Sequence, residues 1–107
     1  MNKAEPPDVE KLETEKDIPG LLAALDYLEN WAVRRDAAEA LGRVGDRSAI
    51  DDLTRAENQD DSPAVNIAAR EAANAIVVRL VREALGGVSD NEARRLCQLY
   101  LRATNAG

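Results

Sequence analysis

The chain has 107 residues, 45% of them hydrophobic and 32% charged, with a formal net charge of −6, a single cysteine and no histidine. One cysteine excludes an internal disulfide and fits a reducing compartment, and the missing histidine removes the commonest general base and most transition-metal sites. The length carries one modest core, no stretch approaches the roughly 18 unbroken apolar residues of a membrane span, and the acidic balance works against unassisted nucleic-acid binding.

Residues 1–7 are a disordered lead-in, because Pro6-Pro7 disfavours helix. Asp8 can cap a short helix over 8–16, with Val9 and Leu12 on one side. Segment 1–17 carries six carboxylates against three lysines, a composition that fits a solvated capping helix better than an acidic interaction tail. A first repeat, 17–45, opens at Asp17-Ile18-Pro19, with proline in the first turn where its missing N–H does no harm. Its first helix should bury Ile18, Leu21, Leu22, Leu25 and Leu28 and end near Glu29.

The stretch Trp31–Val44 is the clearest helix of the chain. Val33, Ala37, Ala40, Leu41 and Val44 fall within an apolar stripe about 100° wide, and Arg35, Glu39 and Arg43 lie opposite. Asn30 caps its start. Gly45 is expected to stop it in a left-handed conformation, with Asp46 opening the next turn. The small Ala37 and Ala40 on the buried side point to a second helix approaching closely.

A second repeat, 46–86, begins with a helix from about Arg47 to Glu57, with Ile50, Leu53 and Ala56 inward and Asp51 and Asp52 complementing the positive N-terminal end of the helix dipole. Asn58-Gln59-Asp60-Asp61 looks like a plain acidic turn. Ser62-Pro63 supplies a cap and a first-turn proline for one long helix to about Leu85. Val65, Ala69, Ala72, Ile76 and Leu80 hold one face; Val77, Val81, Ala84 and Leu85 form a second that needs its own cover. Gly86-Gly87 stops the helix, and the capping-box pattern Ser89-x-x-Glu92 opens a C-terminal capping helix, 89–104. Ala93, Leu96, Cys97, Tyr100 and Ala103 share one face of it; Leu99 and Leu101 do not.

A shift of 32 residues superposes the two repeats. Val33 falls on Val65, Ala37 on Ala69, Glu39 on Glu71, Ala40 on Ala72 and Val44 on Ile76, while Ile18, Leu21 and Ala24 fall on Ile50, Leu53 and Ala56. The matches sit chiefly at buried phases, as repetition of one helix pair would leave them. One pair cannot bury its own stripe, but stacked pairs can. The fold expected is therefore all-α: a right-handed α-α superhelix of stacked antiparallel helix pairs, a short α-solenoid.

The run Val33-Arg34-x-x-Ala37-Ala38-x-Ala40-Leu41-Gly42-x-Val44-Gly45-Asp46-x-x-Ala49-Ile50-x-x-Leu53 resembles the HEAT-like repeat, in the short form found in phycobilisome lyases and many small prokaryotic proteins. The second copy departs from it with Asn66 for the arginine, Arg70 for the second alanine, and Val77-Val78 where Gly-Asp should end the helix. The resemblance implies a scaffold for macromolecular contacts and no chemistry. It implies that Arg34 and Asp46 tie neighbouring units together through side-chain hydrogen bonds, and that the second junction, with Asn66, is held differently. HEAT-like metal hydroxylases hold iron through His-Glu motifs, which a chain without histidine does not carry.

No catalytic, cofactor or metal site is expected. Adjacent carboxylates Asp51-Asp52 diverge by about 100° on a helix, Gly86-Gly87 is a helix stop, and neither a histidine nor clustered lysines are present to activate Cys97. The expected function is a non-enzymatic protein-protein interaction scaffold or adaptor, cytoplasmic, without membrane contact. Its partner would dock on the outward side of the second helices through Trp31, Arg35, Glu39, Arg43, Ile67, Arg70 and Asn74. The alternative is an accessory subunit of a phycobilin-lyase-like or other enzyme complex. Nucleic acid is disfavoured, although residues 70–107 carry six arginines against four carboxylates. Leu99 and Leu101 are candidate contacts of a homodimer through the C-terminal helix.

Overall fold

The computed structural model describes residues 6–86 and, beyond them, residues 91, 92, 94, 95, 98 and 99, which are helical. Within residues 6–86 five α-helices follow in order: α1 Val9–Thr14, α2 Ile18–Leu25, α3 Trp31–Val44, α4 Ile50–Gln59 and α5 Pro63–Leu85, with a 3-10 turn, Arg47–Ala49, leading into α4. Local chemistry starts most of them. Asp8, Asp17 and Asn30 accept from the N–H groups of Lys11, Gly20 and Ala32, and Asp46 caps the 3-10 turn through the Ser48 N–H. At the end of α1 the N–H of Asp17 bonds to the carbonyl of Leu12 and that of Lys16 to Glu13, with Lys16 at φ +54 in the left-handed position that closes the turn.

The helices form two layers. α2 pairs with α3 and α4 with α5, and the most extensive contact of all joins α3 to α5, whereas α2 and α4 have little. Overall dimensions of 52 × 31 × 18 Å leave room for about two helices across the thin direction, since packed axes lie 8–10 Å apart. The core runs along the seam through Leu21, Ala24, Leu25, Ala37, Leu41, Leu53, Ala69, Ala72 and Ile76. Val9 and Leu12 of α1 cover its N-terminal end. Small residues let the second layer close up: a Cβ at Gly42 would stand 3.0 Å from the Cα of Ala72. α3 and α5 thus approach each other more closely than α2 and α4 do.

Several expectations change. α2 ends at Leu25 rather than near Glu29, and Leu28, expected in the buried stripe, is 82% exposed. The N–H groups of Asp26 and Tyr27 bond only three residues back, so the helix tightens and turns there. The buried side of α3 is broader than its apolar stripe and includes Arg34, Ala38 and Gly42. Gly45 is extended, φ −75 and ψ 168, not left-handed; a side chain there would strike the Leu41 carbonyl oxygen. The left-handed stop belongs to Gly86, φ +51. Ser62 makes no side-chain cap; its own N–H donates to Asp60 Oδ1 instead. α5 is one continuous helix of 23 residues, on which Val77 is buried, Val81 half-buried, and Ala84 and Leu85 exposed.

Candidate interaction surface

The junction between the repeats is built on Arg34. Its position on α3 buries it to 5% exposure, beside the two inter-helix turns. Nη1 donates to the carbonyls of Tyr27 and Leu28, both at 3.1 Å, closing the turn of its own repeat. Nε and Nη2 reach Asp60 of the next repeat at 2.8 and 3.1 Å, and Nη2 also reaches Asp61 at 3.2 Å. The Asp60 hydrogen bonds hold the guanidinium pKa above its ordinary value against the opposing effect of burial. Burial pushes the Asp60 carboxyl upward, yet Arg34 and the Ser62 N–H outweigh it and leave the group below the usual carboxylate range. Asp60 is thus a half-buried acceptor for Arg34, which corrects the description of its turn as a plain acidic one.

Asp46 is not part of this junction. It is exposed and bonds to the N–H and hydroxyl of Ser48, which depress its pKa, so its role is local capping and not a tie between units. Asn66, the counterpart of Arg34, donates from Nδ2 to the carbonyls of Ala56 and Asp60, both at 2.9 Å. Asn66 closes the turn of its own repeat as Arg34 does, but is too short to reach onward. Among the described residues, no buried side-chain nitrogen or oxygen lacks a partner.

The seven residues proposed from sequence as a docking face divide. Trp31 remains 48% exposed at the start of α3, with the Arg35 guanidinium 5.2 Å from its ring centroid, a cation–π arrangement, and bonded to Asp36. Glu39 and Arg70 are exposed, and Ile67 is 47% exposed on α5. Asn74 is half-buried in a cleft of about 490 Å³ lined also by Glu71, Ala75, Val78, Arg79, Arg82 and Arg94. Arg43 departs from the expectation of a free solvated face. Nε and Nη2 clasp the Glu13 carboxylate of α1 at 2.5 and 2.8 Å, and this hydrogen-bonded pair lowers the Glu13 pKa. It ties the capping helix down.

Sequence reasoning missed Glu13, Asp60 and Arg79. Arg79 donates to the carbonyls of Gly42 at 3.0 Å and Gly45 at 2.7 Å, placing a cation at the C-terminal end of α3 where the helix dipole favours one. Carbonyl acceptors leave no mark in a sequence. Asp60 was traceable, for it stands one 32-residue shift beyond Leu28, whose carbonyl Arg34 also holds. Leu99 is 52% exposed, whereas Leu101, Cys97 and the apolar face Ala93, Leu96 and Tyr100 lie outside the described residues. No group of three or more metal-binding side chains gathers among the described residues, and no described helix is long and apolar enough to cross a membrane.

Two stacked helix pairs joined by a buried arginine define an all-α repeat solenoid. The pattern that defines HEAT repeats matches residues 18–105, and the chain belongs to that family. Over 68 residues, 64% of the chain, it is 37% identical to the deoxyhypusine hydroxylase of Saccharomyces cerevisiae, covering 19% of that protein. The chain therefore spans about a fifth of the length of that relative. No solved structure matches the chain at a significant level.

Proposed function

We propose that the chain is a non-enzymatic protein-interaction scaffold whose docking face is the outer side of α3 and α5. The observation that carries this reading is the exposure of Trp31 and Ile67 on the layer formed by α3 and α5, with Arg35 stacked on the indole. Tryptophan and arginine are the residue types that most often dominate binding energy at interfaces. Trp31 also costs little to immobilise, since Arg35 already leans on it. A photo-crosslinking amino acid placed at Ile67, with Glu57 on α4 as the control position, tests the face. The expected result is a defined protein adduct from Ile67 alone, whose purified partner loses at least about tenfold in affinity for Trp31→Ala, a change of about 1.4 kcal/mol. Equal adducts from both positions would move the interface elsewhere.

A second reading, an accessory subunit of an enzyme complex, draws on the 37% identity to a protein named as a hydroxylase and on the likeness of residues 33–53 to phycobilisome-lyase repeats. With no histidine, the His-Glu motifs of HEAT-like metal hydroxylases are missing from these 107 residues, which favours scaffold over chemistry. A tetrapyrrole titration followed by visible absorption separates the readings: a tight stoichiometric shift would establish the second.

A further inference from the structure

Among the described residues Leu28 is the most exposed large apolar side chain, at 82%. The fold uses only its backbone: the Arg34 guanidinium takes its carbonyl, and one 32-residue shift onward the same position is Asp60. A polar side chain would serve the turn equally well. Two clefts flank Leu28. One, of about 230 Å³, is lined also by Leu25, Asp26 and Ala56, and the other, of about 410 Å³, by Gln59, Asp60 and Asp61. The charge here stays negative after pairing. Asp52 matches Arg55 at 2.6 Å, whereas the single Arg34 guanidinium meets both Asp60 and Asp61, which leaves one negative charge over. The Asp61 side chain is 94% exposed. Asp26 and Glu29, on either side of Leu28 in the turn, are exposed and enter no ion pair among the described residues. Carboxylates alone make ordinary solvated surface; the leucine between them gives a partner apolar area to cover. The turn is already fixed by the bonds from Arg34 to the Tyr27 and Leu28 carbonyls, so ordering it on binding costs little.

We propose that this edge of the molecule, between the α2–α3 turn and the end of α4, docks a short basic partner segment in extended form. An aliphatic side chain of the segment covers Leu28, and an arginine on either side of it pairs with Asp26 in one cleft and Asp61 in the other. The surface is separate from the outer side of α3 and α5 and does not depend on it. In an extended segment residues two positions apart share a face and lie about 7 Å apart, so one aliphatic residue with arginines two positions before and after it presents all three together. Arginine suits the role because its planar fork binds a carboxylate through two parallel hydrogen bonds. The net charge of −6 draws a basic segment toward the chain. A divalent cation suits the clefts less. No three metal-binding side chains gather among the described residues, and Leu28 would add nothing to its binding.

Fluorescence anisotropy on the full chain tests this with three labelled peptides. They are Gly-Ser-Arg-Ser-Leu-Ser-Arg-Ser-Gly, the same peptide with Glu for both arginines, and the same with Ser for the leucine. The basic peptide should bind saturably, and at least about tenfold more weakly to the Asp26→Asn, Asp61→Asn variant, as loss of charge-assisted hydrogen bonds requires. Leu28→Ser, or removal of the peptide's leucine, should weaken binding as well, and the glutamate peptide should not bind. Glu10→Gln, Glu83→Gln removes two charges from exposed positions on α1 and α5 and should leave binding intact, which separates a local surface from the general field of an acidic chain. Asp61→Asn keeps an oxygen acceptor for Arg34, and circular dichroism should show unchanged helicity in all variants. Absence of binding, equal losses in the two double variants, or indifference to Leu28→Ser would each overturn the proposal. Displacement of the peptide by calcium at constant ionic strength would also overturn it, by assigning the clefts to a cation.

Discussion

At the scale of single residues, Arg34 decides the most. Removing it leaves the part-buried Asp60 carboxylate without its countercharge and two turn carbonyls without a donor, and polar groups left unsatisfied in this way cost about 1–3 kcal/mol. Arg34→Ala should show this as a lowered urea midpoint. The Arg43–Glu13 pair makes a useful contrast. With Arg43 mostly exposed, the pair is worth at most about 1 kcal/mol despite its short bonds. Asp60 also sets a pH dependence. Its folded pKa is depressed, so the folded state binds fewer protons than the unfolded one, and its contribution is complete above the unfolded value of about 3.9 and lost as pH falls through the folded value. Urea titrations at pH 7 and pH 3 should therefore show a larger acid loss for the native chain than for Asp60→Asn. An equal loss would mean that Asp60 does not carry the effect.

At the scale of elements, the closeness of α3 and α5 governs how the two repeats pack. Gly42→Ala would raise intrinsic helix propensity by about 1 kcal/mol. Its new methyl would nevertheless meet the Ala72 Cα at 3.0 Å and Cβ at 3.1 Å, backbone and near-backbone atoms that cannot swing aside. Overpacking of this kind costs about 1–3 kcal/mol, so the net effect should be destabilising, and larger still for Gly42→Val. A thermal midpoint raised by Gly42→Ala would contradict the close approach. Because α3 and α5 carry the proposed docking residues, a forced separation should weaken partner binding as well as stability.

At the scale of the whole molecule, stability should be graded along the stack. α1 has six residues and none fully buried, and it is held by Val9, Leu12 and the Arg43–Glu13 clasp. The centres of α3 and α5 contain the most fully buried positions and share the widest contact. In a solenoid each unit leans on its neighbours, so protection should fall toward the edge. Native-state hydrogen exchange is expected to find the slowest amides between Ala37 and Leu41 and between Ala69 and Ala73, with α1 exchanging fastest among the five helices. Arg43→Ala should accelerate α1 alone. Uniform protection of α1 and α3 would show instead that the stack opens as one unit.

The helices, most of their caps and the 32-residue repeat could be read from the sequence because each depends on local spacing. A 3.6-residue period marks the buried stripe of Trp31–Val44, and the Asp8, Asp17 and Asn30 caps act within three residues of themselves. Tertiary structure decided which charges are spoken for. Arg34 meets Asp60 across 26 positions, Arg43 meets Glu13 across 30, and Arg79 reaches carbonyls 37 and 34 positions away. It also decided that Leu28 faces water, since α2 turns at Asp26 and presents its following carbonyls to Arg34. Helical periodicity is a property of one segment, whereas the partner of a guanidinium is whatever acceptor the stacking of segments carries within about 3 Å of it. That is why the repeat architecture was legible in the chain, and why the division of its arginines between holding the fold together and lining an outer cleft emerged only once the helices were stacked.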